Sequence, residues 1–461
     1  MLEGSILQRL DEAHHHSAQP LNLGVYYKNT LVALCHALED FILDSQSPPL
    51  MVTAFQRGKW YLEEADRYSD LADKSEHVVL MATPDAGFDS HPTSQKENVA
   101  LVQLKPEDPV AEEWHLMILS PTYTAMVLCQ ELSPEDYGNN QPKTDLERKF
   151  YGFWTFEPEL VQETVELAID HMSKYDPQLA QMITAKVAKM NAESATRQRD
   201  DLDAVVSQVI KYLQDSHETL NQPQTGNFTG FQDLSENIVS NEMQAFLRMA
   251  QLLDATDVSN PMAASEVASM AEAMSQLLDL PAWQAKRLYL SGLLHRVGLP
   301  DVTRRNRRLG SAYASRSPVQ AETLANQSAP KASVLRVMPQ LEAVSQILTH
   351  QREAWDGSGI PAGLSYDEIP LESRIICLLA DFQQKMKAYK QYSTDKNPTV
   401  QALTDCQALA GKRYDPKLLD ALSLLVMGMQ QGMTLPAYRP KIATGMWLVD
   451  SGRVNKKTTF S

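Results

Sequence analysis

The chain has 461 residues, too many for one ordinary domain, so two or more folded units are expected. Hydrophobic residues make up 43% and charged residues 22%, ordinary globular values that exclude a largely disordered chain. Lys+Arg numbers 42 against 58 for Asp+Glu, and the net charge of −16 speaks against a general nucleic-acid binder or an anionic-membrane binder.

The N-terminus, Met1-Leu2-Glu3-Gly4-Ser5, has no basic stretch followed by an apolar one and does not read as a secretory leader. No window reaches the roughly 18 consecutive apolar residues of a membrane span, so a soluble, cytoplasmic chain is expected. Cys35, Cys129, Cys377 and Cys406 show no CxxC pairing and read as reduced thiols. His14-His15-His16 sits in a polar segment and reads as incidental.

Asn29 to Leu43 carries a helical stripe of Leu31, Leu34, Cys35, Leu38 and Ile42. Five segments then read as strands: Pro49–Phe55, His77–Ala82, Asn98–Leu104, Trp114–Ser120 and Tyr123–Gln130. Phe150, Tyr151, Phe153, Trp154 and Phe156 put five aromatics within seven residues, read first as core and second as a ligand or partner surface. Pro158 opens a helix with Val161, Val165, Ala168, Ile169 and Met172 on one face. The stripe Leu202, Val205, Val206, Val209, Ile210 and Leu213 predicts another helix, and the polar turn Asn221–Asn227 is the expected joint. Beyond it the chain reads as helix throughout, with stripes over 238–253, 267–278, 283–297, 341–348, 375–386 and 418–429. Arg304, Arg305, Arg307 and Arg308 form a basic cluster read as a solvated loop.

Two motifs stand out in the helical half. Ser291-Gly292-Leu293-Leu294-His295-Arg296-Val297-Gly298 closes a helix, with Gly298 as the expected cap. Gln351-Arg352-Glu353-Ala354-Trp355-Asp356-Gly357-Ser358-Gly359-Ile360-Pro361-Ala362-Gly363-Leu364 is followed by Glu368-Ile369-Pro370-Leu371-Glu372-Ser373-Arg374-Ile375, and later by Gly411-Lys412-Arg413-Tyr414-Asp415-Pro416. Over about Ser235 to Met429 these residues resemble the HD-GYP branch of the HD metal-dependent phosphohydrolases. The resemblance implies two or three bound metal ions and hydrolysis of cyclic di-GMP. It places ligand positions near Ala263, at His295, at Arg296, near Gln327, at Gln351 and Arg352, and at Asp381, one residue out of register.

Metal hydrolysis needs neutral imidazoles and carboxylates around the cations. Only His295 is an expected histidine at an expected place, and Arg296 and Arg352 would set fixed positive charge where cations should sit. His350, one place before Gln351, would point well away from the ligand direction on a helix. No metal and no cofactor are therefore expected. The alternative is an altered iron or manganese site at His295 and Asp381, with Glu353 beside them. The glycine-rich stretch reads as a structural loop that docks Trp355 in the core. Its functional reading is a docking surface for protein partners made of Trp355, Asp356, Gly357, Gly359, Ile360 and Pro361.

Leu104-Lys105-Pro106, Trp114–Pro121 and Arg148–Val161, above all Gly152-Phe153-Trp154-Thr155-Phe156, resemble the DICT sensory domain over about Leu21 to Asp176. That family is linked to diguanylate cyclases and two-component signalling and is common in cyanobacteria. Its resemblance implies a sensory role without naming a ligand.

The expected architecture is α+β. A DICT-like α/β sensory domain occupies 1–180, a linker helix and loop 181–232, an all-α HD-type domain 233–430 and a tail 431–461. The leading expectation is a non-catalytic signalling or scaffold protein, a pseudo-phosphohydrolase that acts through protein partners, with a homodimer admitted. The rivals are an active cyclic di-GMP phosphodiesterase and a cyclic-dinucleotide receptor that binds without cleaving.

Overall fold

The computed structural model describes residues 1–15, 21, 23–44, 47–56, 58–84, 87–137, 142, 148–194, 202–220, 231–255, 260, 262–297, 335, 341–392 and 397–435. His16, the joint at Asn221–Asn227, Gly298, the arginines at 304–308, Gln327 and most of the tail lie outside the described residues. The chain divides into two compact units, Met1–Ala245 and Phe246–Lys441.

The first unit is built on a seven-stranded sheet of order β1-β7-β6-β5-β2-β3-β4. Its strands are β1 (Gly24–Tyr27), β2 (Leu50–Phe55), β3 (His77–Ala82), β4 (Val99–Gln103), β5 (Glu113–Leu119), β6 (Thr124–Glu131) and β7 (Lys149–Thr155). β2, β3 and β4 run parallel, whereas β5, β6, β7 and β1 join by antiparallel pairs. All six residues of β3 are buried, and its unbroken apolar run suits a strand covered on both faces.

One face is covered by α1 (Ile6–His14), α4 (Pro158–Met172) and α5 (Pro177–Ser194), whose Leu10, Val165 and Ile183 share a core with Val52, Met117 and Phe153. α2 (Lys28–Asp44) and α3 (Gly58–Lys74) lie on the sheet's other face, and α6 (Leu202–Leu220) packs on α2. Packing of this unit thus runs past residue 180. The stripe of Val205, Val206, Val209, Ile210 and Leu213 is buried, as its spacing predicts.

Each of the five expected strands is present within two residues of its expected ends. Two strands and three helices of this unit were not expected. β1 is only four residues long, and β7 is aromatic where the other strands are aliphatic. α1 is anchored from outside itself: the Glu113 carboxylate accepts the Ile6 and Leu7 N–H groups at 3.2 and 2.8 Å. These are orphan donors of a helix's first turn, met by a residue distant in sequence. His14, at the end of α1, pairs with Glu163 at 2.8 Å.

The second unit is helical. α7 (Phe231–Ala255) enters it, followed by α8 (Ala263–Leu277), α9 (Ala282–Leu294), α10 (Glu342–Thr349), α11 (Leu371–Tyr392), α12 (Pro398–Gln407) and α13 (Pro416–Gln430). α8 packs on α9 and α11, and α12 bridges α11 and α13. The helices follow the expected stripes, with α12 the addition. α9 ends at Leu294 with His295 as its C-cap, ahead of the expected Gly298.

Candidate functional site: the HD segment and its loop

His295 is buried, and its Nδ1 donates to the Gly292 carbonyl oxygen at 2.7 Å. That bond sets the tautomer and leaves Nε2 as the acceptor nitrogen. Burial lowers its pKa to about 4; the Gly292 bond opposes this and Arg296 adds to it, so the ring is neutral. Arg296 turns to Asp254, with Nε 3.1 Å from Oδ1. Asp254 is buried, and its Oδ2 accepts the Ala264 N–H at 2.9 Å at the start of α8. The segment expected to supply the first ligand histidine therefore sends a backbone amide to a carboxylate that also holds Arg296.

Gln351 is buried, and its Nε2 donates to the His295 carbonyl oxygen at 2.9 Å. The structure thus brings together two expected positions, His295 and Gln351, through an amide-to-backbone bond. Arg352 is partly buried, and its carbonyl accepts the Ile360 N–H at 3.2 Å. Glu353 is buried and organises the loop: its Oε1 accepts the Ala362 N–H at 2.8 Å, and its Oε2 accepts the Gly363 N–H at 3.1 Å. His350 Nδ1 lies 3.4 Å from the same Oε1. Asp381, on α11, is engaged elsewhere: Arg413 Nε and the Tyr414 hydroxyl donate to its Oδ2 at 2.7 and 2.8 Å. The carboxylate raises the pKa of both partners, although for Tyr414 burial is the larger cause and for Arg413 burial works against the rise.

These residues do not fit a pair of hydrolytic metal ions. The described positions offer one neutral imidazole, one amide whose N–H is donated to backbone, two guanidinium groups and one carboxylate, Asp381, which is held by Arg413 and Tyr414. A carboxylate at the position of Arg296 would bridge cations; a guanidinium cannot. Among the described residues no group of three His, Cys, Asp or Glu side chains could hold a metal.

The glycine-rich loop departs from expectation at Trp355, which is only partly buried rather than docked in the core. Its ring meets Tyr366 edge-on at 5.4 Å, with the Arg374 guanidinium 5.4 Å from its centre. The buried neighbour is Ala354. A methyl at Gly359 would stand 2.1 Å from the Ala354 nitrogen, so the loop folds flat against its own start only with glycine there. Asp356 accepts from the Ser358 N–H and hydroxyl at 3.0 and 2.6 Å, a local turn. Gly357 takes φ +82° in that turn, and Pro361 is exposed beside Ile360, which is 40% exposed.

The aromatic segment resolves as core. Phe153, Trp154 and Phe156 are buried, while Tyr151 is partly buried against the core. Trp154 Nε1 donates to Asn241 Oδ1 at 3.0 Å, and its ring meets Phe156 edge-on at 5.5 Å. Phe153, Trp154 and Phe156 thus have their rings enclosed, and Tyr151 keeps part of its surface open.

Comparison with known proteins follows this geometry. Residues 4–132 match the DICT family, described as a sensory domain in diguanylate cyclases and two-component systems, and residues 233–418 match an HD domain. The chain therefore carries a DICT sensory domain and an HD-type domain. Residues 144–222, which include the aromatic segment, match the C-terminal domain of a two-partite extracellular sensor domain.

A cyclic di-GMP phosphodiesterase of Thermotoga maritima is 36% identical over 83 residues, 18% of this chain and 22% of that one. A 3'3'-cGAMP-specific phosphodiesterase 2 of Vibrio cholerae is 31% identical over 84 residues, 18% of this chain and 15% of its own. The match thus spans about a fifth or less of the length of these relatives. The crystal structure of a Vibrio cholerae cyclic GMP-AMP phosphodiesterase aligns at TM-score 0.31 and 19% identity, over 42% of this chain and 53% of that one, too low to carry an argument. Nothing in the comparisons bears on a cyanobacterial origin. Among the described residues no helix is long and apolar enough to cross a membrane.

Proposed function

We propose that the chain is a signalling protein in which a DICT sensory unit acts on an HD domain of the cyclic-dinucleotide phosphodiesterase type. In this reading the HD domain works through contact with a partner protein rather than through metal-dependent hydrolysis. The observation that carries the non-catalytic part is Arg296: its guanidinium, held by Asp254, stands next to His295 where the metal chemistry needs a carboxylate. The partner face is the loop of Asp356, Ile360 and Pro361, exposed and stiffened from beneath by Glu353.

The second reading is hydrolysis of a cyclic dinucleotide, with capture without cleavage as its weaker form. It has the comparisons on its side: both curated relatives are named as phosphodiesterases, and this supports a phosphohydrolase better than a pseudoenzyme. The readings separate in one experiment. Purified full chain is analysed for metal, then incubated with cyclic di-GMP and with 3'3'-cGAMP in the presence of Mn²⁺ or Fe²⁺. The proposal expects no stoichiometric metal and no linear product. Bound iron or manganese, with turnover abolished by His295→Ala, would establish the phosphodiesterase instead. Heat of binding without product would establish the receptor.

A further inference from the structure

The sensory unit contains a cleft that belongs to neither motif. It holds about 610 Å³ of empty space, part of it open solvent, between α2 and α3 beyond the carboxyl end of β2. At β2 the chain's neighbours change from parallel β3 on one side to antiparallel β5 on the other.

The walls are ring faces and edges: Phe55, Trp60, Tyr68 and Trp114. Of the charged groups that line it, Glu39, Glu64 and Arg148 are paired, Lys28 Nζ lies 5.6 Å from the Trp60 ring centre, and Glu63 stands on α3. Glu39, buried, receives Arg67 Nε at 2.6 Å and the Tyr68 hydroxyl at 3.1 Å. Glu64 faces His36 Nε2 at 3.2 Å. Arg148 is held by Glu131 and by Gln56 Oε1 at 3.0 Å, and its guanidinium lies 4.3 Å from the Trp60 ring centre. A charged guest that turned to Glu39, Glu64 or Arg148 would have to break these pairs and lose its hydration, whereas a neutral ring leaves them in place and stacks. The carboxylates of Glu39 and Glu64 and the Gln56 side chain stand among the polar groups beside these rings that can fix a guest's orientation. Oε2 of Glu39 accepts from Arg67 and Oε1 from Tyr68, and a carboxylate oxygen has a further lone pair for an N–H.

We infer that this cleft is a ligand site for a neutral, planar nitrogen heterocycle of one or two rings, of the nucleobase class, stacked on Trp60 and Trp114 with its N–H edge toward Glu39 and Glu64. The inference rests on the sensory reading of this unit, and it is tested without any phosphodiesterase or cyclic di-GMP readout, so the two can fail separately.

The test is titration of the full chain with adenine and hypoxanthine, followed by calorimetry and by quenching of tryptophan fluorescence. Toluene, benzoate and benzylamine serve as apolar, anionic and cationic rings of similar size. The expected result is saturable binding of a heterocycle below 1 mM, at least tenfold tighter than any control ring. Trp60→Leu should weaken it at least tenfold, and Val32→Phe, which fills the cleft from α2, should abolish it; either variant that keeps the wild-type circular dichroism suffices. No binding of either heterocycle at 1 mM overturns the inference. So does equal binding of a charged ring, or affinity unchanged in the folded variants.

Discussion

Glu353 carries more of the loop than its sequence position suggests. It is buried, yet it satisfies two backbone N–H groups nine and ten residues ahead and faces His350. Removing the carboxylate breaks two charge-assisted bonds to the Ala362 and Gly363 N–H groups, so Glu353→Ala is expected to cost about 1–3 kcal/mol in urea unfolding. Glu353→Gln keeps one acceptor oxygen and should recover part of that loss. Equal stability of the two variants would mean that the loop does not depend on these bonds.

His295 makes the second unit sensitive to acid. Its folded pKa of about 4 lies below the ordinary 6.5, so the unfolded chain takes up a proton that the folded chain refuses. Stability is intact above 6.5 and falls as the pH drops toward 4, by roughly 2 kcal/mol at pH 5. His295→Gln should flatten that slope between pH 7 and 5 in denaturant titrations. Identical slopes would show that the imidazole does not contribute.

At the scale of elements, α13 is tied to α11 by one side chain. Asp415 caps α13, its Oδ1 accepting the Lys417 N–H at 3.0 Å, while its Oδ2 meets Arg374 of α11 at 2.9 Å. Asp415→Ala removes both and is expected to cost about 1–2 kcal/mol by far-ultraviolet circular dichroism in urea. Asp415→Asn, which keeps the cap and weakens the pair, should cost about half of that. Asn as harmful as Ala would place the whole effect in the ion pair.

The elements also explain what could be read in advance. The strands at β2, β3, β5 and β6 were legible because both sheet faces are covered, which writes a continuous apolar run into each. β7 was not, because its run of Phe150, Tyr151, Phe153 and Trp154 has no aliphatic signature and Gly152 interrupts it. That glycine is required: a Cβ there would stand 2.1 Å from the Leu128 carbonyl oxygen across the ladder. α1 starts on a local cap, Ser5 accepting the Gln8 N–H at 3.1 Å, but its Ile6 and Leu7 N–H groups are met by Glu113, more than a hundred residues away.

On the scale of the whole molecule, the DICT match ends at residue 132, yet the sheet does not. β7 lies between β1 and β6 and pairs with both, and α4 and α5 supply core residues beneath it. A fragment of residues 1–132 would expose the β6 edge and leave β1 without a neighbour. It is expected to aggregate or remain unfolded, whereas residues 1–245, which keep Asn241 against Trp154, should give a cooperative thermal transition. A folded, monomeric 1–132 fragment would contradict this view of the unit.

The chain's acidity, its two-part plan, most of its helices and its HD-type loop were determined by local pattern, because periodicity, turn residues and charge count are properties of neighbours in sequence. That an arginine, Arg296, follows His295 could also be read there. Only the tertiary structure decided where that cation goes, to Asp254 some forty residues earlier, and that Gln351 and Asp381 are spent on backbone and on Arg413. It alone left Trp355 half-open, where the sequence had pointed to a docked ring. The cleft between α2 and α3 was invisible beforehand for the same reason: its walls come from residues 28 to 148, brought together only when a parallel and an antiparallel strand meet on either side of β2.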